Sequence, residues 1–235
     1  MTESDIQKQL EALSNPQKKE FLPYYFKTGK GQYGEGDLFI GVVVPDIRKV
    51  AKANKNTGFE ELGRLLDNPY HECRMCALLI LVEQFKKLKS EVEKKQVVDF
   101  YLSYTHRINN WDLVDLSARD IVGEYLSGKE DRSILYRLAD SDLLWDQRIA
   151  VISAFAFIRE NDFTDIIALS EQFLTHKHDL MHKAVGWMLR EAGKRDKSVL
   201  ISFLDKHYRI MPRTMLRYSI EKLSADEKSY YMKKN

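Results

Sequence analysis

Arg74–Phe85 reads RMCALLILVEQF, and one step of 37 residues further on Trp111–Val122 reads WDLVDLSARDIV. Both stretches place apolar residues three and four positions apart, the spacing that lines one face of an α-helix. The same pattern returns at Arg148–Ile158, Lys183–Ala192 and Arg213–Leu223, so the five starts are separated by 37, 37, 35 and 30 residues. A helical segment recurring at that interval is the signature of helix-pair repeats, whose periods run from about 34 to 47 residues. Shorter amphipathic stretches lie between them at Lys94–Tyr104, Ser133–Ala139, Thr164–Leu174 and Ser198–His207. Each repeat therefore reads as an outer helix followed by an inner one. A lone pair cannot bury its apolar face, so neighbours are expected to stack into a superhelix with a concave inner surface.

The bulk composition agrees with this. Only 11 glycines and 5 prolines occur in 235 residues, too few breakers for a protein built of many tight turns. Gly58, Pro69, Gly128 and Pro212 fall where the pairs are expected to separate. At the N-terminus, Ile6–Leu13 and Pro16–Lys27 read as helices, with Asn15 as the cap before a proline at the first helical position. Pro45 opens another helix, PDIRKVAKAN. The expected architecture is all-α, a curved array of HEAT-like repeats (an α-solenoid) forming a single domain over residues 1–235, whose concave face is the candidate binding surface.

No apolar run approaches the roughly 20 residues of a membrane span. The opening MTESDIQKQLEALSN is acidic and amphipathic rather than secretory, and the two cysteines, Cys73 and Cys76, suit a reducing compartment. Cytoplasm is the expected location. The net charge of +2 hides an asymmetry: Lys177–Asn235 holds 14 Lys+Arg against 7 Asp+Glu, a local +7 that leaves −5 elsewhere. A basic C-terminal quarter suits a polyanion, although solvated basic helices are common.

Superposing the five inner segments on their first residues gives one row of Arg74, Trp111, Arg148, Lys183 and Arg213. One turn later comes a second row of Leu78, Asp115, Ile152, Trp187 and Arg217. Each of these residues also has a packing explanation. An arginine at the head of an inner helix can bridge neighbouring repeats, Trp111 and Trp187 can belong to the core, and Asp115 can pair with an arginine. Together they suggest more. A carboxylate accompanied by tryptophans on a row of cations suits a cationic sugar whose flanking phosphates are held by the row.

Two other motifs point less clearly to chemistry. Gly29–Asp37, GKGQYGEGD, offers glycine amides to an anion but lacks the Lys-Ser/Thr ending of a P-loop and the strand–turn–helix setting of a dinucleotide site. Cys73-x-x-Cys76 sits in an apolar helix with no second ligand pair, which is poor ground for zinc or redox chemistry. No metal and no cofactor is expected.

The local sequences NNWDLVD (Asn109–Asp115), LLWDQRIAVIS (Leu143–Ser153) and HKAVGWMLREAGK (His182–Lys194) resemble those of the AlkD-type DNA alkylation-repair glycosylases. YFKTGKGQYGEGD (Tyr25–Asp37) and the following GVVVPDIRKVAK look like a branch of the same family, so that the likeness spans roughly residues 3 to 225. The resemblance implies that Asp115 is the catalytic carboxylate, with Trp111 one turn before it and Trp187 as the second tryptophan flanking the lesion. It implies that Arg148 contacts the DNA backbone and that Tyr25 is an aromatic near the same cleft. Lys183, Arg190, Arg213 and Arg217 are expected to hold phosphates. The implied reaction is removal of N3- or N7-alkylated purines from double-stranded DNA, by a monomer, with the lesion left in the duplex. Some family members lack the glycine-rich loop. The rival expectation is a non-catalytic HEAT-repeat module that binds DNA or protein, since a repeat fold does not define function.

Overall fold

The computed structural model describes residues 5–233, leaving the first four residues of the acidic N-terminal stretch outside it. It is all-helical: among the described residues no β-strand forms, only an isolated bridge between Leu38 and Tyr70. The chain divides into two compact units, residues 1–121 and 122–235.

The first unit holds the helices Asp5–Glu11, Pro16–Tyr25, Val44–Ala53, Phe59–Leu66, His71–Phe85, Glu91–Ser103 and Trp111–Ala118. Asn15 caps the second of these, its side chain accepting the Lys18 amide at 3.1 Å ahead of Pro16. His71–Phe85 is the core element, with all but two of its residues buried, Glu83 and Gln84 excepted. Its run of Leu78, Leu79, Ile80, Leu81 and Val82 meets neighbours on every side. Truncating any of these leucines to alanine would cost about 2–5 kcal/mol.

Three polar residues at the head of this helix, His71, Glu72 and Arg74, are buried as well. Glu72 accepts the backbone amides of Ile40, Gly41 and Val42 at 2.9, 2.8 and 3.2 Å. It thereby tethers the chain between the glycine-rich loop and the Val44–Ala53 helix. Gly41 is needed there: its φ is +96°, and a Cβ would lie 2.5 Å from the Asn15 carbonyl oxygen.

The second unit contains Ser133–Ala139, Leu144–Ser153, Phe155–Arg159, Thr164–Gln172, Asp179–Arg195, Lys197–His207, Arg213–Ser219 and Ala225–Met232. Arg132 ties successive pairs, meeting Asp162 at 2.7 Å and Asp165 at 2.6 Å while its guanidinium lies 4.1 Å from the Phe157 ring centre. Gly186 lets Asp179–Arg195 approach Arg213–Ser219 closely, since a Cβ there would stand 2.5 Å from the Met215 carbonyl oxygen.

All five inner segments expected from the periodicity are helical, as are the four outer ones, to within a few residues at their ends. The third inner segment is interrupted at Ala154. Two helices were not anticipated, Phe59–Leu66, which is strongly amphipathic but short, and the capping-box helix Ala225–Met232. The turn residues need one correction. Gly58 and Gly128 do separate pairs, but Pro69 and Pro212 lie within pairs, each just ahead of an inner helix. Proline suits that position because the first helical amides have no intrahelical partner. Among the described residues, no helix is long and apolar enough to cross a membrane.

Candidate active site

Trp111 opens the Trp111–Ala118 helix, and its amide is received by the side chain of Asn110, the buried N-cap, at 2.9 Å. Its half-buried indole stacks on Phe26, with ring centres 5.6 Å apart, and meets Tyr25 edge-on at 6.2 Å. Phe26 continues inward as a stack, 5.2 Å from Phe39 and 4.9 Å from the His71 imidazole. Asp115, half-buried, follows Trp111 by four residues and so shares its helix face.

Beneath this stack lies a charged network. His71 Nε2 is 2.9 Å from an Asp112 carboxylate oxygen, and its Nδ1 is 3.5 Å from Asp37. Asp37 is joined to Arg74 at 2.7 Å and accepts the side-chain amide of Asn109 at 2.8 Å. Burial alone would lower the proton affinity of His71, but Asp112 and Asp37 reverse that and raise its pKa to about 9. Burial likewise works against the charge on Asp37, yet His71, Arg74 and Asn109 hold its carboxyl below the usual range. NNWDLVD is thus fixed at three points: Asn109 to Asp37, Asn110 as cap, and Asp112 to an imidazolium.

The glycine-rich loop has a structural task here. The amides of Gly29, Gly31 and Gly34 are taken by Gln32, Glu35 and the Lys27 carbonyl, rather than held out for an anion. Gly34 packs where a Cβ would stand 2.5 Å from the Phe26 carbonyl oxygen, and the loop ends by delivering Asp37 to the network. Sequence reading passed over His71, Asp37 and Asp112. The available signal was the second aspartate inside WDLVD and the acid closing the loop.

In the second unit Trp187 is half-buried on Asp179–Arg195, its Nε1 donating to Glu191 at 3.2 Å. Most of the expected cation row is engaged within the protein. Arg148 is only 4% exposed and donates to the Leu180 carbonyl at 2.6 Å, as a repeat-bridging arginine does. Lys183 pairs with Asp179 at 2.7 Å, Arg190 with Glu221 and Glu191, and Arg213 donates to the Met232 carbonyl at 3.0 Å. Arg217 is exposed. In the first unit Arg74 is inward-facing too, bound to Asp37 and to the carbonyls of Asn68 and Pro69. Tyr25 meets Trp111 in the first unit, Asp115 lies one turn along Trp111's helix, and Lys183, Trp187 and Arg190 share one helix in the second. Cys73 and Cys76 are buried and free, their thiols pushed up by burial, a poor state for a thiolate ligand.

The fold and the tryptophan–aspartate helix define an all-helical repeat protein with a candidate catalytic carboxylate. The sequence matches the family model for DNA alkylation repair enzymes over residues 6–223, and the chain belongs to that family. Its fold is shared with a predicted DNA alkylation repair enzyme from Enterococcus faecalis. The TM-score is 0.72 at 16% identity, over 90% of this chain and 97% of that one. No curated protein matches the sequence.

Proposed function

We propose that this protein is a DNA glycosylase that hydrolyses the N-glycosidic bond of N3- or N7-alkylated purines in duplex DNA. The observation carrying the proposal is Asp115 on one helix face with Trp111, in a motif clamped at Asn109, Asn110 and Asp112. An alkylated purine of this kind is cationic and leaves as a neutral base, taking the electron pair of the C1′–N bond. Positive charge then develops on the deoxyribose, as in other oxocarbenium-like reactions. Asp115 stabilises that charge and receives the proton of the water that adds to C1′, an electrostatic role of the kind that dominates many active sites. Trp111 turns its negative π-face to the sugar and excludes bulk water.

In the second unit, Trp187 is assigned the lesion-flanking role that the family resemblance implies. Arg217 is assigned to phosphate, contributing affinity without sequence readout, and Lys183 joins it by leaving Asp179. Arg190 and Arg213 meet phosphate only by releasing Glu221 and the Met232 carbonyl. Arg148, being buried, orients the Leu180 turn rather than reaching solvent. Selectivity comes from the lability of the cationic base, with the lesion kept in the duplex, and the protein acts as a cytoplasmic monomer.

Release of 7-methylguanine from methylated duplex DNA tests the reading. Asp115→Asn is expected to fold and bind DNA while losing most of the release. Full excision by that variant refutes the assignment, and a wild-type protein that binds without releasing base is a binding module instead.

A further inference from the structure

The Pro16–Tyr25 helix is unlike the other long helices: none of its ten residues is buried. It nevertheless carries three large aromatic side chains, Phe21, Tyr24 and Tyr25, which are 49%, 76% and 48% exposed. Spaced three and four residues apart, they occupy one side of the helix. Phe21 and Tyr25 have ring centres 5.9 Å apart, and Tyr25 continues to Trp111 at 6.2 Å, so the exposed rings run directly into the candidate site. Cations sit on them: Lys18 Nζ is 5.9 Å from the Phe21 ring centre and Lys27 Nζ is 4.9 Å from that of Tyr24. Residues 16–30 hold four lysines against the single acid Glu20.

Contiguous exposed apolar surface marks a binding face, and its charge selects an anionic partner. Ring faces interleaved with lysines match a ligand having both phosphates and planar bases. A fully stacked duplex presents no base faces along its length. An unstacked nucleotide does, and bases laid on aromatic side chains beside a cationic track are how unpaired nucleic acid is held. Loss of a base from a duplex creates such a nucleotide, because the opposite base is left without its partner.

We propose that Phe21 and Tyr24, with Lys18 and Lys27, form a stacking platform for an unstacked nucleotide of the bound DNA, next to the Trp111–Asp115 site. This rests on DNA as the ligand of that site, not on cleavage of the glycosidic bond. The test uses the full-length protein and two duplexes of one length at fixed salt. One is fully paired with an internal 2-aminopurine; the other places 2-aminopurine opposite a tetrahydrofuran abasic analogue. Wild type is expected to bind the second duplex more tightly and to quench its 2-aminopurine. Phe21→Ala/Tyr24→Ala is expected to lose affinity for it by roughly 10- to 30-fold, lose the quenching, and change under threefold on the paired duplex. Both side chains are exposed, so the melting curve should be unaltered.

Asp115→Asn separates the two readings: it should keep the preference for the abasic duplex even though release is abolished. If Asp115→Asn releases base normally while the platform variant loses its preference, the catalytic role of Asp115 fails and the platform stands; if wild type releases no base, the glycosylase reading fails and the platform is still read from the binding preference. Equal binding by wild type and the platform variant, or equal losses on both duplexes, overturns the platform. A sedimentation shift from dimer to monomer in the platform variant, without change in DNA preference, would instead make these rings a self-association face.

Discussion

Raising the pH should loosen the first unit through a single buried imidazole. His71 has its proton affinity lifted from 6.5 to about 9 by Asp112 and Asp37, against the opposing effect of burial. At 1.36 kcal/mol per tenfold change in proton affinity, this corresponds to roughly 3 kcal/mol of folding stability. Because the folded value is the higher one, the contribution is complete below pH 6.5, falls between 6.5 and 9, and is gone above that. Asp37 acts in another window, since its depressed carboxyl contributes above the unfolded carboxylate pKa and is lost only in acid. Urea unfolding of wild type and His71→Gln at intervals from pH 6 to 10 isolates the effect, because other titrations cancel in the difference. The stability gap between the two proteins should shrink by about 3 kcal/mol across the series. Trp111 lies one ring removed from His71 through Phe26, so near-ultraviolet dichroism should change over the same range. A gap that stays flat from pH 6 to 10, or that widens as the pH rises, would refute the protonated imidazole.

Glu72→Ala should destabilise the protein by about 3 kcal/mol, because three backbone amides lose a charged acceptor; denaturant titration measures it. Gly186→Ala should cost about 2–3 kcal/mol in the same assay, its methyl driving into the Met215 carbonyl oxygen. Gly128→Ala, with φ at +75° but open space around it, should cost nearer 1 kcal/mol. Glu221→Gln removes one of the two carboxylates paired with Arg190, leaving Glu191. It should tighten DNA binding and steepen the salt dependence by about one in log–log slope, read from affinities at several salt concentrations.

The repeat frame was readable because burial writes its period directly into the chain. Leu113, Ile149, Val185 and Leu216 are each fully buried, and each lies one to three residues into its segment. Phe59–Leu66 escaped notice because it is short and follows a glycine-marked turn. The helix that carries Trp111 and Asp115 was also readable, through its apolar spacing. What surrounds it was not. Asp37 was only the last residue of the glycine-rich loop, and Arg74 one cation of the row, because spacing along a helix does not reveal a partner 37 residues away. The cation row shows the same limit. Its periodicity was real, but whether an arginine faces phosphate or a neighbouring carbonyl depends on packing, and Arg148 turned inward.

Helical repeat arrays commonly come apart one pair at a time, since each pair touches only its neighbours. The first unit is wired differently. Asn109 reaches back 72 residues to Asp37, and Glu72 reaches back about 30 to the chain before Val44–Ala53. The glycine-rich segment is therefore a strap, and its release would free both the head of the core helix and the start of the helix bearing Trp111. Amide hydrogens in these elements should exchange together, as one cooperative block, whereas a nearest-neighbour array would fray from its end. An N-terminal truncation that removed the strap would take the tryptophan–aspartate motif with it, although that motif lies far along the chain.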